Sequence, residues 1–176
     1  MEQIVKILSE MKNSSISNYA IAGLTSSLVG GESNGCVRLF EQERCQQDFI
    51  TPHSHRFDFT CLVLAGEVTN RCWSETCEVM GDFFEETIIT YCGNIGEHHR
   101  KIAGRNFYEY HDHTYQAGEC YSMSHDQIHS IIFGKESKVL FFEGPTLQDT
   151  SLIIEPVVNG SVINTCLKKP WMFVKE

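Results

Sequence analysis

The chain has 176 residues, 41% of them hydrophobic, with 14 Lys+Arg against 23 Asp+Glu and a formal net charge of -9. It is long enough for one domain with a real core, and too apolar for a disordered segment. The acidic balance, without any Lys/Arg cluster, argues against binding nucleic acid through its phosphates and against an anionic membrane surface as partner.

Ile4, Ile7, Leu8 and Met11 recur at helical spacing until Asn13-Ser14-Ser15 breaks the stripe. Ile16, Ala20, Ile21, Leu24 and Leu28 make a second stripe, closed by Gly30-Gly31. Two short helices are therefore expected in an N-terminal extension over residues 1–35, capping a barrel end or mediating dimerisation. The acidic start, Met1-Glu2-Gln3-Ile4, has no signal-peptide core, and no apolar run reaches membrane-spanning length. With its 8 cysteines dispersed along the chain, the protein is expected in a reducing cytoplasm with free thiols.

From Cys36 the texture changes to short strand-like segments separated by turn residues, as in a sandwich or barrel. Val37 to Phe40 is one, and Phe57 to Ala65 is the clearest, followed after Gly66 by Glu67 to Trp73. Phe83 to Cys92, Asn106 to Tyr110, Ser130 to Phe133 and Lys138 to Phe142 continue the series, with a loop expected over Gly93 to Arg105. Beyond Gly144-Pro145, Leu152 to Val158 and the tail around Trp171-Met172-Phe173 are expected to pack back on the barrel.

Pro52-His53-Ser54-His55 carries the chemistry. Two histidines at i and i+2 on an extended chain point to one face, so both imidazoles can approach one ion. Phe57, Phe59, Cys61 and Val63 share that parity and are apolar, as an inward row would be, whereas Arg56 and Asp58 should face outward. His129 shares parity with Ile131 and Phe133 in a second strand-like segment. His53, His55 and His129 are thus the candidate metal ligands. His125, on a turn beside His129, is the candidate fourth ligand or acid–base group. Arg100 and Arg105 could clamp a substrate carboxylate if their loop folds over the barrel mouth. His111-Asp112-His113 repeats the spacing, but a lone His-x-His between tyrosines suits an ordinary strand.

At these residues the chain resembles the cupin superfamily of double-stranded β-helix (jelly-roll) barrels. The first cupin motif sets His-x-His between two glycines, with a glutamate following. His53, His55 and Gly66 are in register, while Gln47 stands at the leading glycine and Phe59 at the glutamate. The second motif joins a glycine to a downstream histidine. Gly118 and His129 are in register, with Ser124, Asp126 and Phe133 at its proline, second-glycine and asparagine positions. The resemblance runs from near Arg38 to Gly144. It implies an all-β jelly-roll barrel over residues 36–147, preceded by the short helices and closed by a C-terminal extension over residues 148–176. It also implies a carboxylate-free site similar to the three-histidine facial sites of thiol dioxygenases.

Three imidazoles suit a divalent ion, Fe(II) by preference, with Zn or Ni as alternatives. Neutral ligands leave the ion's charge uncompensated, which favours an anionic substrate such as a thiolate or carboxylate. Two functions stay open. One is a non-haem iron dioxygenase-type enzyme acting on a small organic anion. The other is a metal-free cupin acting as a small-molecule binding protein or an isomerase. The partner in either case is a small molecule. A homodimer is expected from apolar surface on the N-terminal helices and the tryptophan-containing tail.

Overall fold

The computed structural model describes residues 15–32, 35–46, 49–92, 98–158 and 161–162. The described residues form strands, turns and irregular segments, with no helix among them. One six-stranded sheet has the order β1-β2-β3-β10-β4-β8, where β1 is Ser15–Ser17, β2 Leu24–Glu32, β3 Gly35–Gln42, β4 Phe59–Ala65, β8 Cys120–Met123 and β10 Lys138–Glu143. The other, also six-stranded, has the order β12-β11-β6-β7-β5-β9. Its strands are β5 Glu67–Thr76, β6 Asp82–Tyr91, β7 His98–Gln116, β9 Ile128–Phe133, β11 Thr150–Val158 and β12 Ser161–Val162. The chain crosses from β4 to the second sheet for β5 to β7 and then alternates between the sheets from β8 to β11, winding as a double-stranded β-helix.

The first expected helix lies outside the described residues. The second is overturned: its stretch forms β1, a turn and β2. Asn18 and Ala20 take φ of 54° and 62° and Gly23 takes 82°, left-handed values that no α-helix contains. The Asn18 Oδ1 accepts the Gly23 N–H at 2.9 Å and closes the turn. Of the apolar residues whose spacing imitated a helix, Leu24 is buried in the core, Ile16, Ala20 and Ile21 pack against it, and Leu28 is exposed. Gly30 and Gly31 cap nothing, since β2 continues through them past an irregularity in its pairing with β3.

Two further segments differ from expectation. Residues 98–105, assigned to a loop, are the first half of β7 and pair with β6. Residues 150–158, assigned to an extension, are β11, a strand of the second sheet paired with β6, with Ile153 and Ile154 buried. The tail around Trp171 lies outside the described residues.

The main core sits between the sheets. Phe57, Phe59, Cys61 and Val63 are all buried, as their shared parity requires, and meet Val68, Ile131 and Phe133 from the second sheet. Burying each such aliphatic or aromatic side chain contributes roughly 1.5–3 kcal/mol, so this row dominates the sandwich. Gly66 lets β4 turn directly into β5: its φ is +67°, and a Cβ there would come within 2.9 Å of the Ser137 Cα.

Candidate metal centre

The segment 50–55, just before β4, lies between the ends of the second sheet. The Ile50 N–H reaches the Ile131 carbonyl, and the Ile154 N–H reaches the Pro52 carbonyl. His53 exchanges both backbone bonds with His129, each 2.9 Å, and bridges to Ile153 of β11 as well. The His55 N–H donates to the His125 carbonyl at 3.0 Å. Two residues of one extended segment and one of β9 are therefore locked at the same level of the fold by main-chain bonds, before any ligand is considered.

Their rings converge. One potential ligand nitrogen from each of His53, His55 and His129 lies within 4.8 Å of the other two. The His53 Nδ1 lies 2.8 Å from the Thr51 carbonyl oxygen, which can only accept, so that nitrogen carries the proton and Nε2 keeps its lone pair. The His129 Nδ1 lies 2.7 Å from the Asn70 Oδ1, while the Asn70 amide nitrogen points at the sulfurs of Met123 and Cys72. Soft sulfur acceptors thus orient the Asn70 amide, and the amide oxygen fixes the His129 tautomer with Nε2 inward. This is how metal-binding histidines are usually held, through the nitrogen that does not bind. The His55 Nε2 stands 2.9 Å from the His129 Nε2. At that distance one of the two rings donates and the other accepts.

Burial pushes the His53 imidazole down to about 4, against the smaller opposing effect of its bond to Thr51. Burial, followed by the neighbouring imidazoles, holds His55 and His129 well below the ordinary histidine range. All three rings are therefore neutral at pH 7, the state a metal requires. Metal–imidazole bonds are about 2.0–2.1 Å long, so small ring rotations bring these nitrogens around one ion. The donor set fits a borderline divalent ion of the Fe, Zn or Ni type.

The double-stranded β-helix and the three-histidine cluster agree with the resemblance read from the sequence. No family profile matches the sequence, and no curated protein matches it. Solved structures match in shape. Hydroxypropylphosphonic acid epoxidase from S. wedmorenis has 9% identity over 76% of this chain and 56% of its own, with a TM-score of 0.47. A protein with a double-stranded β-helix domain from Klebsiella pneumoniae has 14% identity, covering 75% and 84% of the two chains, with a TM-score of 0.41. A hydroquinone 1,2-dioxygenase has 11% identity, covering 78% and 70%, with a TM-score of 0.39. The chain spans only 56% of the epoxidase's length.

A cavity of about 40 Å³ adjoins the triad. A water needs roughly 10–15 Å³ on this measure, so the space admits a few water-sized groups. Its walls beyond the imidazoles are mainly apolar, with Phe40, Phe59, Phe141, Ile131 and Val139 prominent. Phe59, at the position of the cupin glutamate, packs on His55 and His129 with ring centroids 4.7 and 5.3 Å away. It supplies no donor atom and forms part of the wall.

The remaining candidates lie elsewhere. The ring of His125 bonds to Asp58, Nδ1 to Oδ1 at 2.9 Å, on the exposed side of the same segment. Only its carbonyl touches the site, through His55. Arg105 is engaged by Glu85 at 2.9 Å, and Arg100 lies 4.0 Å from Glu155. Both are on β7, and neither lines the cavity. His111 and His113 are exposed, and Asp112 between them is bound by Arg71 through two nitrogens. Two residues of the site were missed from the sequence, Asn70 and Tyr121. Asn70 carried a signal: it shares parity with Val68 and Cys72, and a carboxamide on an inward apolar row needs a partner there.

Proposed function

We propose that the protein is a metal-dependent enzyme of the non-haem iron dioxygenase type, acting on a small anionic organic substrate. One observation carries the reading: three neutral imidazoles converge on one point beside a mainly apolar cavity, and fixed acceptors on Nδ1 leave the Nε2 atoms of His53 and His129 deprotonated. His53, His55 and His129 would hold the ion. A divalent iron in that position supplies Lewis-acid and redox chemistry. The chain's own contribution is to hold the ligand set rigid through the His53–His129 main-chain bonds, to keep the rings deprotonated by burial, and to exclude bulk water with Phe59 and Phe141. The neutral triad adds no negative charge, so the counter-charge has to come from the substrate.

One observation favours the second reading, a metal-free cupin that binds a small molecule or isomerises it. The His55 and His129 Nε2 atoms are 2.9 Å apart, close enough to hydrogen-bond to each other. Elemental analysis of protein purified without an affinity tag separates the two. Near-stoichiometric iron, lost on His129→Ala with the fold retained, supports the enzyme. Metal-free protein that saturates with an organic ligand supports the alternative. The reading places the protein in a reducing cytoplasm as a homodimer. Leu64 and Phe142, 46% and 39% exposed on β4 and β10, are apolar surface that a dimer would cover. A monomer in light scattering at micromolar concentration overturns that part.

A further inference from the structure

We propose that Tyr121 is the hydrogen-bond donor that positions the acceptor atom of a small anionic ligand in the cavity; this rests on the metal-site reading above. Tyr121 sits on β8 opposite Cys61 of β4 and lines the same cavity as the histidines. Its ring is clamped, stacked on Tyr115 at 4.4 Å and edge-on to Phe59 at 6.4 Å. Phe59 in turn contacts His55 and His129, so one ring separates the phenol from the triad.

The hydroxyl is the anomaly. Tyr121 is 7% exposed, and its buried Oη has no oxygen or nitrogen partner among the described residues, only the Cys61 thiol beside it. The facing Cys61 thiol is a weak partner at best. Native proteins rarely leave a buried hydroxyl unsatisfied, because the group has given up its water for nothing. The other cavity tyrosine, Tyr19, differs: its hydroxyl lies in the field of Arg38, Glu143 and Cys36. Burial holds the Tyr121 phenol well above its ordinary range, so it stays protonated and donates to whatever acceptor enters. An ion carried by three neutral imidazoles attracts an anion into the same space. A protonated phenol then offers that anion a charge-assisted bond, and the cavity volume limits it to a few heavy atoms.

The probe is azide, titrated into cobalt(II)-loaded protein and followed by visible absorption. Tyr121→Phe should retain cobalt as the wild type does and bind azide about tenfold more weakly, the worth of one such bond. The infrared stretch of bound azide should shift in D2O for the wild type and not for Tyr121→Phe. Metal-free Tyr121→Phe should unfold at the same temperature as the wild type or higher, because the hydroxyl removed has only a weak thiol partner. Equal azide affinity and an unchanged infrared response overturn the proposal. So does a variant that fails to fold, melts lower or loses cobalt, since the hydroxyl is then structural. If the wild type itself holds no cobalt, the metal-site reading fails and the proposal falls with it.

Discussion

Acidification should destabilise the metal-free protein through the triad. His53 has an ordinary value of 6.5 and a folded-state value of about 4. Above pH 6.5 neither state carries this proton, and full stability is present. As pH falls, the unfolded chain takes up a proton at residue 53 that the folded chain refuses until about pH 4. Stability is therefore lost progressively across that window. Linkage gives about 2 kcal/mol from His53 alone between pH 7.5 and pH 5, an order-of-magnitude figure. His55 and His129 are lowered in the same sense and steepen the loss. Urea unfolding with a chelator present, followed by tryptophan fluorescence at several pH values, measures it. The control is His53→Gln, which lacks this titration and should lose about 2 kcal/mol less over the same interval. Parallel pH dependences for the wild type and the variant would show that residue 53 is not held neutral by burial, and would refute the reasoning.

Asn70→Ala removes the acceptor that sets the His129 tautomer and should weaken metal binding by about 10–100-fold with the fold retained, read by competition with a chromophoric chelator. Phe59→Glu buries a carboxylate where the ring packed and should cost the metal-free protein roughly 3 kcal/mol or more. With metal present the carboxylate becomes a fourth ligand, so the gap between metal-free and metal-loaded melting temperatures should widen relative to the wild type. Gly66→Ala meets both a left-handed φ and the Ser137 backbone, whereas Gly118→Ala, at φ +92°, meets no atom within 4 Å. Chemical denaturation should show about 1–3 kcal/mol lost at position 66 and a smaller loss at 118.

What the sequence made legible was what period and spacing encode. The alternation through Phe57, Phe59, Cys61 and Val63 reported a face, and that face is buried. His53 and His55 meet that face although the chain bends at Arg56–Phe57 before β4, because main-chain bonds to β9 and to His125 hold them there. The N-terminal error has the opposite origin. Apolar residues four apart satisfy a helix or a turn that folds both onto one core, and only the left-handed Asn18 and Ala20 decide between them. Residues 98–105 of β7 were hidden for a related reason. They pair with β6 but expose most of their side chains, so no inward apolar row marks them. The outward-facing Asp58 was read correctly, whereas its bond to His125 joins two segments that only the fold brings together.

The three histidines are assembled by the backbone rather than by an ion. His53 and His129 share a reciprocal pair of main-chain bonds, His55 is tied to the His125 carbonyl, and Thr51 and Asn70 hold two of the ring tautomers. An ion entering this site has little to organise, and its binding energy is not consumed in ordering side chains. The same rigidity fixes what the site can accept. The glutamate that would have neutralised part of the ion's charge is replaced by Phe59, whose ring packs against two of the three imidazoles. A divalent ion bound there would keep its charge uncompensated inside a mainly apolar wall, where a missing counter-charge is felt more strongly than in water. A ligand sharing the site with such an ion would have to meet two conditions: to be small, and to bring the negative charge that the three imidazoles do not supply.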